Sequence, residues 1–397
     1  MTKIRIAVVL GIRPDVIRAS LILRRLFNPA IGDDIEPTFI WSGQHYSDNL
    51  KDIFFRELEV PAPTIELNAT GATDSELVAA VNTSLAPVLQ LLAPHVVVFL
   101  GDTNTVMGCI AAAQLNIPIV HIEGCMRSYD WRMPEEKYRT VTDHLSDLIY
   151  AYFDEYRDQG IREGLNPDNI VVVQNVIVDV LQHYYFEHED RYTALATPDF
   201  FVKRGIERGE YYLATCHRRE NIESITSLSA ILKLFAAAER TVYFAAGYRT
   251  QRQLTEFKLT VPANVIMVDP VGYTDMLTLV VNSRGVITDS GTVVEETAVL
   301  GVPSVQMRRS TERPQVYDCK SSVKFDPSVD QPLIRDVIRK LEGLHGTTWE
   351  HGLGDGRASE RIVDDLVGRL RAGWTGGHDP ERSHLSVARS YQRDGLT

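Results

Sequence analysis

The chain has 397 residues, enough for two or three domains of ordinary size and for a large buried core. Hydrophobic residues make up 44% and charged residues 24%, which argues against a disordered, fibrous or low-complexity chain. The net charge of −12 provides no diffuse positive field, so neither nucleic acid nor a membrane surface is expected as a partner. A small anionic molecule is compatible with this charge, because a few arginines and helix N-termini can bind phosphate within an acidic protein.

The cysteines are scattered and form no Cys-x-x-Cys pair, so the sequence predicts neither a zinc site nor a disulfide framework. They stand at Cys109, Cys125, Cys216 and Cys319. Reduced, scattered thiols are typical of a cytoplasmic enzyme. The first apolar run is too short to span a bilayer and precedes Gly and Arg, so no targeting segment is expected.

Short β-branched runs in the first half of the chain leave room for a helix between them. Such runs predict strands over residues 4–10, 37–41, 95–100, 117–122, 148–150 and 170–173. Apolar residues at helical spacing predict helices over 15–26 and 74–92. Continuous apolar strands alternating with amphipathic helices are typical of a parallel sheet covered on both faces.

The same pattern returns in the second half. Strands are predicted over 211–215, 241–245, 265–268, 285–288 and 303–307. The charged stretch 186–209 has no continuous apolar run and is the expected boundary, which gives domains over 1–185 and 186–371 and a polar tail over 372–397. The predicted fold class is therefore α/β, with two Rossmann-like, doubly wound domains facing a cleft. Ligands of such sheets bind outside the carboxyl ends of the strands.

Charged residues follow several of the predicted strands in the first half. In GIRPDVIR, Arg13 and Arg18 stand where a phosphate would meet helix amides. The alternative is an ordinary strand-to-helix turn with solvated arginines. Asp102 follows a strand in GDTNT, where a helix-capping role is the alternative. Glu123 ends an otherwise apolar strand in HIEGCMR, and a carboxylate there is costly to bury without a partner.

A third acidic segment, MPEEKYR, places Glu135 at a predicted helix start, where acidic residues that complement the helix dipole are the alternative. The three segments lie within about 35 residues of one another. Clustered carboxylates push one another's proton affinities apart, so the three segments together indicate acid/base chemistry. In the second half, His217 of CHRREN also follows a strand, and a catalytic and a structural role are equally open for it.

A tight turn into a helix is predicted at TDSGTVVEET. Ser290 and Gly291 would bring backbone amides close to a diphosphate there, and Glu296 would accept hydrogen bonds from two sugar hydroxyls. Arg313 follows the next strand in MRRSTERP. A capped helix with surface charge is the alternative for both segments.

Eight segments, taken together and in order, resemble the bacterial UDP-N-acetylglucosamine 2-epimerase family, which has the glycosyltransferase-B fold. They are GIRPDVIR, SGQHYSDN, GDTNT, HIEGCMRS, MPEEKYR, CHRREN, TDSGTVVEE and STERP. Each segment is weak evidence by itself, but eight in this order are highly specific. The resemblance extends from residue 4 to at least residue 326.

The resemblance implies a role for matching positions. The catalytic positions are Asp102, Glu123, Glu135 and His217, and the positions around the UDP-sugar are Arg13, Arg18, Tyr273, Met276, Ser290, Gly291, Thr292, Glu296 and Arg313. The family implies no cofactor and no metal, a UDP-sugar and UDP as ligands, and a homodimer. Its reaction is anti elimination of UDP to a 2-acetamidoglycal, followed by return of UDP after a proton reaches the opposite face of carbon 2.

Some positions depart from the commonest family pattern. Thr292 replaces a second Gly, Met276 stands where an aromatic often contacts the uracil, and AAGYRTQ replaces a His-x-Asn-Pro segment. The changes at Thr292 and Met276, together with FFREL, RSYDWRMPEE and DSGTVVEE, resemble the branch that acts on modified sugars, such as UDP-N-acetylfucosamine or diacetamido-uronate derivatives. The AAGYRTQ segment implies instead that a phosphate and effector contact of the family is missing or replaced. The alternatives are a hydrolysing epimerase that releases UDP and free sugar, a glycosyltransferase of the same fold, and a non-catalytic UDP-sugar sensor.

Overall fold

A computed structural model describes residues 3–43, 55–329 and 334–376. Most of the SGQHYSDN segment and the predicted tail from residue 377 onward lie outside these residues. The chain divides into two compact units, and each unit contains one parallel sheet.

The first unit contains a sheet that has seven strands in the described residues, ordered β3-β2-β1-β4-β5-β6-β7. Its strands are β1 (Ile4–Leu10), β2 (Ile35–Trp41), β3 (Ile65–Glu66), β4 (Val96–Leu100), β5 (Ile119–Ile122), β6 (Leu148–Ala151) and β7 (Ile170–Val172). The helices between them are α1 (Arg13–Leu26), α2 (Asp74–Leu92), α3 (Cys109–Gln114), α4 (Pro134–Leu145) and α5 (Asp154–Arg162). The chain order reverses between β1 and β4, which makes the carboxyl ends of these strands the topological switch point.

The second unit repeats this plan with a sheet of six strands in the described residues, ordered β10-β9-β8-β11-β12-β13. Its strands are β8 (Tyr211–Thr215), β9 (Thr241–Ala245), β10 (Val265–Val268), β11 (Gly285–Thr288), β12 (Ser304–Met307) and β13 (Ser322–Phe325). Its helices are α6 (Val176–Tyr184), α7 (Glu189–Leu195), α8 (Pro198–Val202), α9 (Arg219–Ile222), α10 (Ile225–Ala237), α11 (Tyr248–Glu256), α12 (Tyr273–Val281), α13 (Gly291–Val299), α14 (Gln315–Asp318) and α15 (Ile334–Leu344). The switch point here lies between β8 and β11.

Both sheets are parallel, as predicted, and their central strands are buried. All five residues of β4 and the last five of β1 are buried, because helices cover both faces. This burial explains the continuous apolar runs that identify these strands in the sequence.

The division into units differs from the predicted boundary at 185/186. Within the described residues, the first unit contains 3–43, 59–174 and 357–376, and the second contains 55–58 and 175–356 without 330–333. Helix α6 packs against α13 of the second unit, and the last described helix, α16 (Ala358–Arg371), packs against α1 of the first. The charged stretch 186–209 lies inside the second unit and forms α7 and α8, where Phe200 and Phe201 are buried.

Helix α2 begins with a capping box, in which Thr73 Oγ1 accepts from Glu76 N at 3.2 Å and Glu76 accepts in return from Thr73 N. Among the described residues it is the one helix that is long and apolar enough to cross a membrane by length and composition. Leu85 and Leu89 of this helix nevertheless lie in the core cluster of the first sheet, so α2 serves here as a covering helix.

Candidate active site

The first unit gathers its predicted site residues at the switch point. Helix α1 follows β1 directly, and Asp102 and Glu123 follow β4 and β5. Gly101, which precedes Asp102, has a φ of +82°, and a Cβ there would lie 2.9 Å from Arg18 Nη2. Glycine is therefore required for this turn to pass the arginine.

Glu123 is fully buried and lies in the left-handed backbone region, with a φ of 72°. Its Oε2 accepts from Arg18 Nη1 and from Tyr152 Oη, the latter at 3.1 Å. Its Oε1 accepts from Arg139 Nη2 at 3.0 Å. The burial cost of this carboxylate is thus offset by charged and polar donors on both oxygens.

Asp102 shares one of those donors. Arg139 Nη2 also donates to Asp102 Oδ2, at 2.7 Å, so a single guanidinium nitrogen bridges the two carboxylates. Asp15 lies on the other side of the cluster and accepts from Arg18 Nη2 at 2.8 Å. Burial raises the pKa of Asp15 to about 7, although Arg18 acts to lower it.

A second layer of buried charge supports the turn before Asp102. His121 contacts the Gly101 carbonyl oxygen through Nε2 and Asp143 Oδ1 through Nδ1, both at 2.7 Å. Asp143 Oδ2 accepts from Cys125 N and pairs with Arg127. Burial acts to raise the pKa of Asp143, but Arg127 and His121 outweigh it and lower the pKa to about 2.

The remaining predicted residues of the first unit lie in the first turns of helices. Arg13 is the first residue of α1 and is half-buried. Glu135 is half-buried in the first turn of α4, four residues before Arg139, and therefore lies on the same helix face. Its neighbour Glu136 is buried and accepts from the backbone N–H groups of Ser128 and Tyr129, which fixes the loop before the helix.

In the second unit His217 follows β8 and is 52% exposed on its side chain. Its backbone N–H donates to Asp289, whose carboxylate also accepts from Arg218 N and Asn221 Nδ2. Asp289 is fully buried at the end of β11. It therefore ties the turns after β8 and β11 together and positions His217.

Ser290 and Gly291 begin α13 at the same strand end. Ser290 Oγ caps the helix by accepting from Val293 N, and Thr292 is buried in the first turn. A Cβ on Gly291 would lie 2.5 Å from Arg313 Nε, so the guanidinium of Arg313 lies directly against this helix start. Arg313 Nη1 donates to Glu295 Oε1 at 2.7 Å. Helix amides and a guanidinium at one point suit a diphosphate.

Glu296 is buried in the same helix, and its Oε1 accepts from Tyr273 Oη at 2.8 Å. Burial, with Glu296 adding to it, raises the pKa of Tyr273 well above its usual value. Tyr273 N in turn donates to Glu57 Oε2 at 2.7 Å. Met276, on the same helix as Tyr273, is half-buried and packs against the core of the second sheet.

Sequence reasoning missed several residues of these two clusters. They are Asp15, Arg139, Tyr152, Asp289 and Glu295. All of them except Tyr152 lie inside the segments that carry the family resemblance. A charged residue within a stretch that folding buries was the signal that could have identified them. Among the described residues, no group of three or more His, Cys, Asp or Glu side chains is arranged to hold a metal ion.

Two Rossmann-like units with charged clusters at their switch points define the fold class of the protein. The family model described as UDP-N-acetylglucosamine 2-epimerase matches residues 30–367, and the chain belongs to this family. The family and the fold predicted from the sequence are thereby confirmed.

Relatives match over almost the whole chain. A UDP-N-acetylglucosamine 2-epimerase of Methanocaldococcus jannaschii is 33% identical over 373 residues, which are 91% of this chain and 99% of the relative. A UDP-2,3-diacetamido-2,3-dideoxy-D-glucuronate 2-epimerase of Pseudomonas aeruginosa is 31% identical over 372 residues, 91% of this chain and 99% of the relative. A crystal structure of the M. jannaschii enzyme in complex with UDP-GlcNAc and UDP is similar with a TM-score of 0.81 and 31% identity, covering 92% of this chain and 100% of that one.

Proposed function

We propose that the protein is a non-hydrolysing 2-epimerase of a UDP-linked 2-acetamido sugar. The observation that carries this proposal is the pair of buried carboxylates, Asp102 and Glu123, held by one guanidinium at the switch point of the first unit. Inversion of a carbon centre by proton removal and return needs acid/base groups at the reacting carbon. Sequence identity of 31 to 33% to epimerases over nine-tenths of the chain supports the same reaction.

The hydrogen on carbon 2 of such a sugar is not adjacent to a carbonyl group and is barely acidic. Departure of UDP therefore leads the reaction: the bond between carbon 1 and the diphosphate oxygen breaks and positive charge builds at carbon 1. A carboxylate then takes the carbon-2 proton, and the electrons of that C–H bond form the double bond of the glycal. Delivery of a proton to the opposite face and return of UDP complete the inversion without net oxidation or reduction.

We assign the residues to these steps by their chemistry. Asp102, Glu123, Glu135 and His217 carry the proton transfers and their electrostatic support. Arg13, Arg313 and the amides at Ser290 and Gly291 bind the diphosphate as its charge grows on departure. Arg18, Tyr273, Met276, Thr292 and Glu296 bind and shape the rest of the nucleotide sugar. No step of this scheme calls for a metal or an organic cofactor.

Incubation of the protein with UDP-N-acetylglucosamine and with a UDP-diacetamido-uronate in heavy water tests the proposal. We expect one of them to equilibrate with its 2-epimer and to gain deuterium at carbon 2, as followed by NMR. Irreversible release of UDP and free sugar would instead show the hydrolysing reaction. Transfer of the sugar without deuterium at carbon 2 would show a glycosyltransferase and refute the proposal.

The Asp102→Asn variant separates catalysis from binding. We expect it to lose deuterium exchange while its affinity for UDP is unchanged, because the substitution removes a proton acceptor and keeps the shape of the side chain. Asp168→Asn, at an exposed position of the same unit, is the matched control and should exchange at the wild-type rate. Binding of UDP without exchange in the wild-type protein would indicate a sensor rather than an enzyme.

We further propose a cytoplasmic homodimer whose partners are the UDP-sugar and UDP, with neither nucleic acid nor a membrane involved. The four cysteines are free thiols, which supports a reducing compartment. Leu91 of α2, Ile110 of α3 and Val141 of α4 expose apolar side chains in the first unit, and α3 packs against both α2 and α4. A second copy of the chain would cover these side chains, in line with the homodimer that the family resemblance implies.

A further inference from the structure

The two carboxylates that Arg139 bridges have unequal surroundings. Glu123 is fully buried, and both of its oxygens accept hydrogen bonds, with guanidinium groups of Arg18 and Arg139 and the hydroxyl of Tyr152 as donors. Asp102 retains some exposure, and in the described part of the chain its hydrogen-bond donor is Arg139 alone, acting on Oδ2. The other oxygen of Asp102, Oδ1, has no hydrogen-bond donor in that part of the chain.

This inequality matters for proton transfer. A carboxylate that accepts from two guanidinium groups is stabilised as the anion and is a weak base. A carboxylate with an oxygen free of donors can place that oxygen against a substrate hydrogen, within the hydrogen-bond reach that a general base requires. Glu123 therefore has the surroundings of a permanent anion, and Asp102 those of a proton acceptor.

Other charged groups face this pair from each neighbouring element. Asp15 and Arg18 face it from α1, and Tyr152 faces it from the segment after β6. The buried His121 contacts the carbonyl oxygen of Gly101, next to Asp102, and Asp143 contacts the other ring nitrogen of His121. Arg139 faces the pair from α4, and among the described residues its Nη2 is the nitrogen that donates to both carboxylates.

We propose that Arg139 is a positioning residue that divides the roles of the two carboxylates in the reaction. With Arg18 and Tyr152 it keeps Glu123 ionised, so that Glu123 stabilises positive charge at carbon 1 as the diphosphate leaves. It also holds Asp102 by one oxygen, so that Oδ1 takes the proton from carbon 2 while the electrons of the C–H bond form the glycal double bond. This inference rests on the proposed epimerase function.

The test compares Arg139→Met, which keeps length without charge, with Arg139→Lys, which keeps a cation and one bridging nitrogen. The readouts are deuterium exchange at carbon 2 and the pH profile of kcat/KM, with circular dichroism and UDP affinity as checks of folding.

We expect Arg139→Met to lower kcat by about 100-fold or more, on the scale of general acid/base catalysis. Without the cation the carboxylates bind a proton more readily, so the acidic limb of the profile should move to higher pH. Arg139→Lys should restore most of kcat and return the limb toward its wild-type position.

A purely structural role for Arg139 predicts something different. If Arg139→Met loses activity while its acidic limb stays in place, or if both variants lose activity equally without a shift, the inference is wrong and the epimerase function still stands. If Arg139→Met fails to fold, Tyr152→Phe decides, because it removes a donor to Glu123 and keeps the ring. An upward shift of its acidic limb supports the inference and an unmoved limb overturns it. Failure of the wild-type protein to exchange deuterium would overturn the proposed function and this inference with it.

Discussion

Asp15 is a buried carboxyl group near the start of α1, and burial raises its pKa to about 7 from an ordinary value of 3.8. At pH values between 3.8 and about 7, Asp15 of the folded protein holds a proton that the same residue of the unfolded chain has released. Asp15 therefore makes its full contribution to the free energy of unfolding below pH 3.8, and this contribution falls as the pH rises toward 7. The slope is at most about 1.4 kcal/mol per pH unit.

Asp15→Asn tests this effect, because asparagine has a similar shape and does not titrate. We expect the variant to lose the decline in the free energy of unfolding that the wild-type protein shows between pH 4 and pH 7. Urea unfolding at several pH values across this range is the measurement. Asp168→Asn, at an exposed position, should follow the wild-type curve, and an unchanged slope in Asp15→Asn would contradict the burial effect.

Gly291 allows Arg313 to lie against the start of α13, because a Cβ there would come within 2.5 Å of Arg313 Nε. We expect Gly291→Ala to displace the guanidinium and to weaken UDP binding by about 10-fold or more, the scale of one hydrogen bond to a charged group. Titration calorimetry with UDP measures the effect. Gly343→Ala, in α15, adds a Cβ that has open space around it; it is the control and should bind UDP like the wild type.

At the scale of elements, α16 follows the second unit in the chain but packs in the first. Leu366 of this helix is buried, and Arg25 of α1 pairs with Asp364 at 2.9 Å. Tyr150 at the end of β6 donates to Asp365 at the same distance. The first unit is thus completed by a segment that is distant in sequence.

Leu366→Ala should therefore destabilise the first unit by about 2–5 kcal/mol, the cost of a cavity in a core. Hydrogen exchange followed by mass spectrometry should show faster exchange in β1 and β4. Val202→Ala truncates a side chain that is 72% exposed on α8 of the second unit, and it should leave exchange in these strands unchanged. Faster exchange confined to the strands of the second unit would contradict the placement of α16.

At the scale of the whole molecule, the apolar side chains on α2, α3 and α4 support the proposed homodimer. A Leu91→Asp/Ile110→Asp double variant places charge on two of these exposed positions, and desolvating those charges would be unfavourable in an interface. We expect the wild-type protein to scatter light as a dimer and the double variant as a monomer with unchanged circular dichroism. A wild-type protein of monomer mass at micromolar concentration would refute the proposal.

Much of the fold follows from the sequence alone. Strands β1, β8, β9, β10 and β11 have the predicted limits, because each is a short run of mostly β-branched and apolar residues that the local pattern identifies. Strand β3, with two residues, and the partly exposed β13 have no such run and were not predicted. The unit boundary also differed from prediction, because packing of α6 on α13 and of α16 on α1 joins segments that are far apart in the chain.

The site divides in the same way. Sequence position by itself determined that Asp102, Glu123, His217 and Ser290 would follow strands and stand at the carboxyl edge of a sheet. Only the tertiary structure decided which charges meet there: that Arg139 bridges Asp102 and Glu123, and that Arg313 pairs with Glu295. The physical reason is that strand position depends on a local apolar pattern, whereas the partner of a buried charge depends on which side chains folding brings within hydrogen-bond distance.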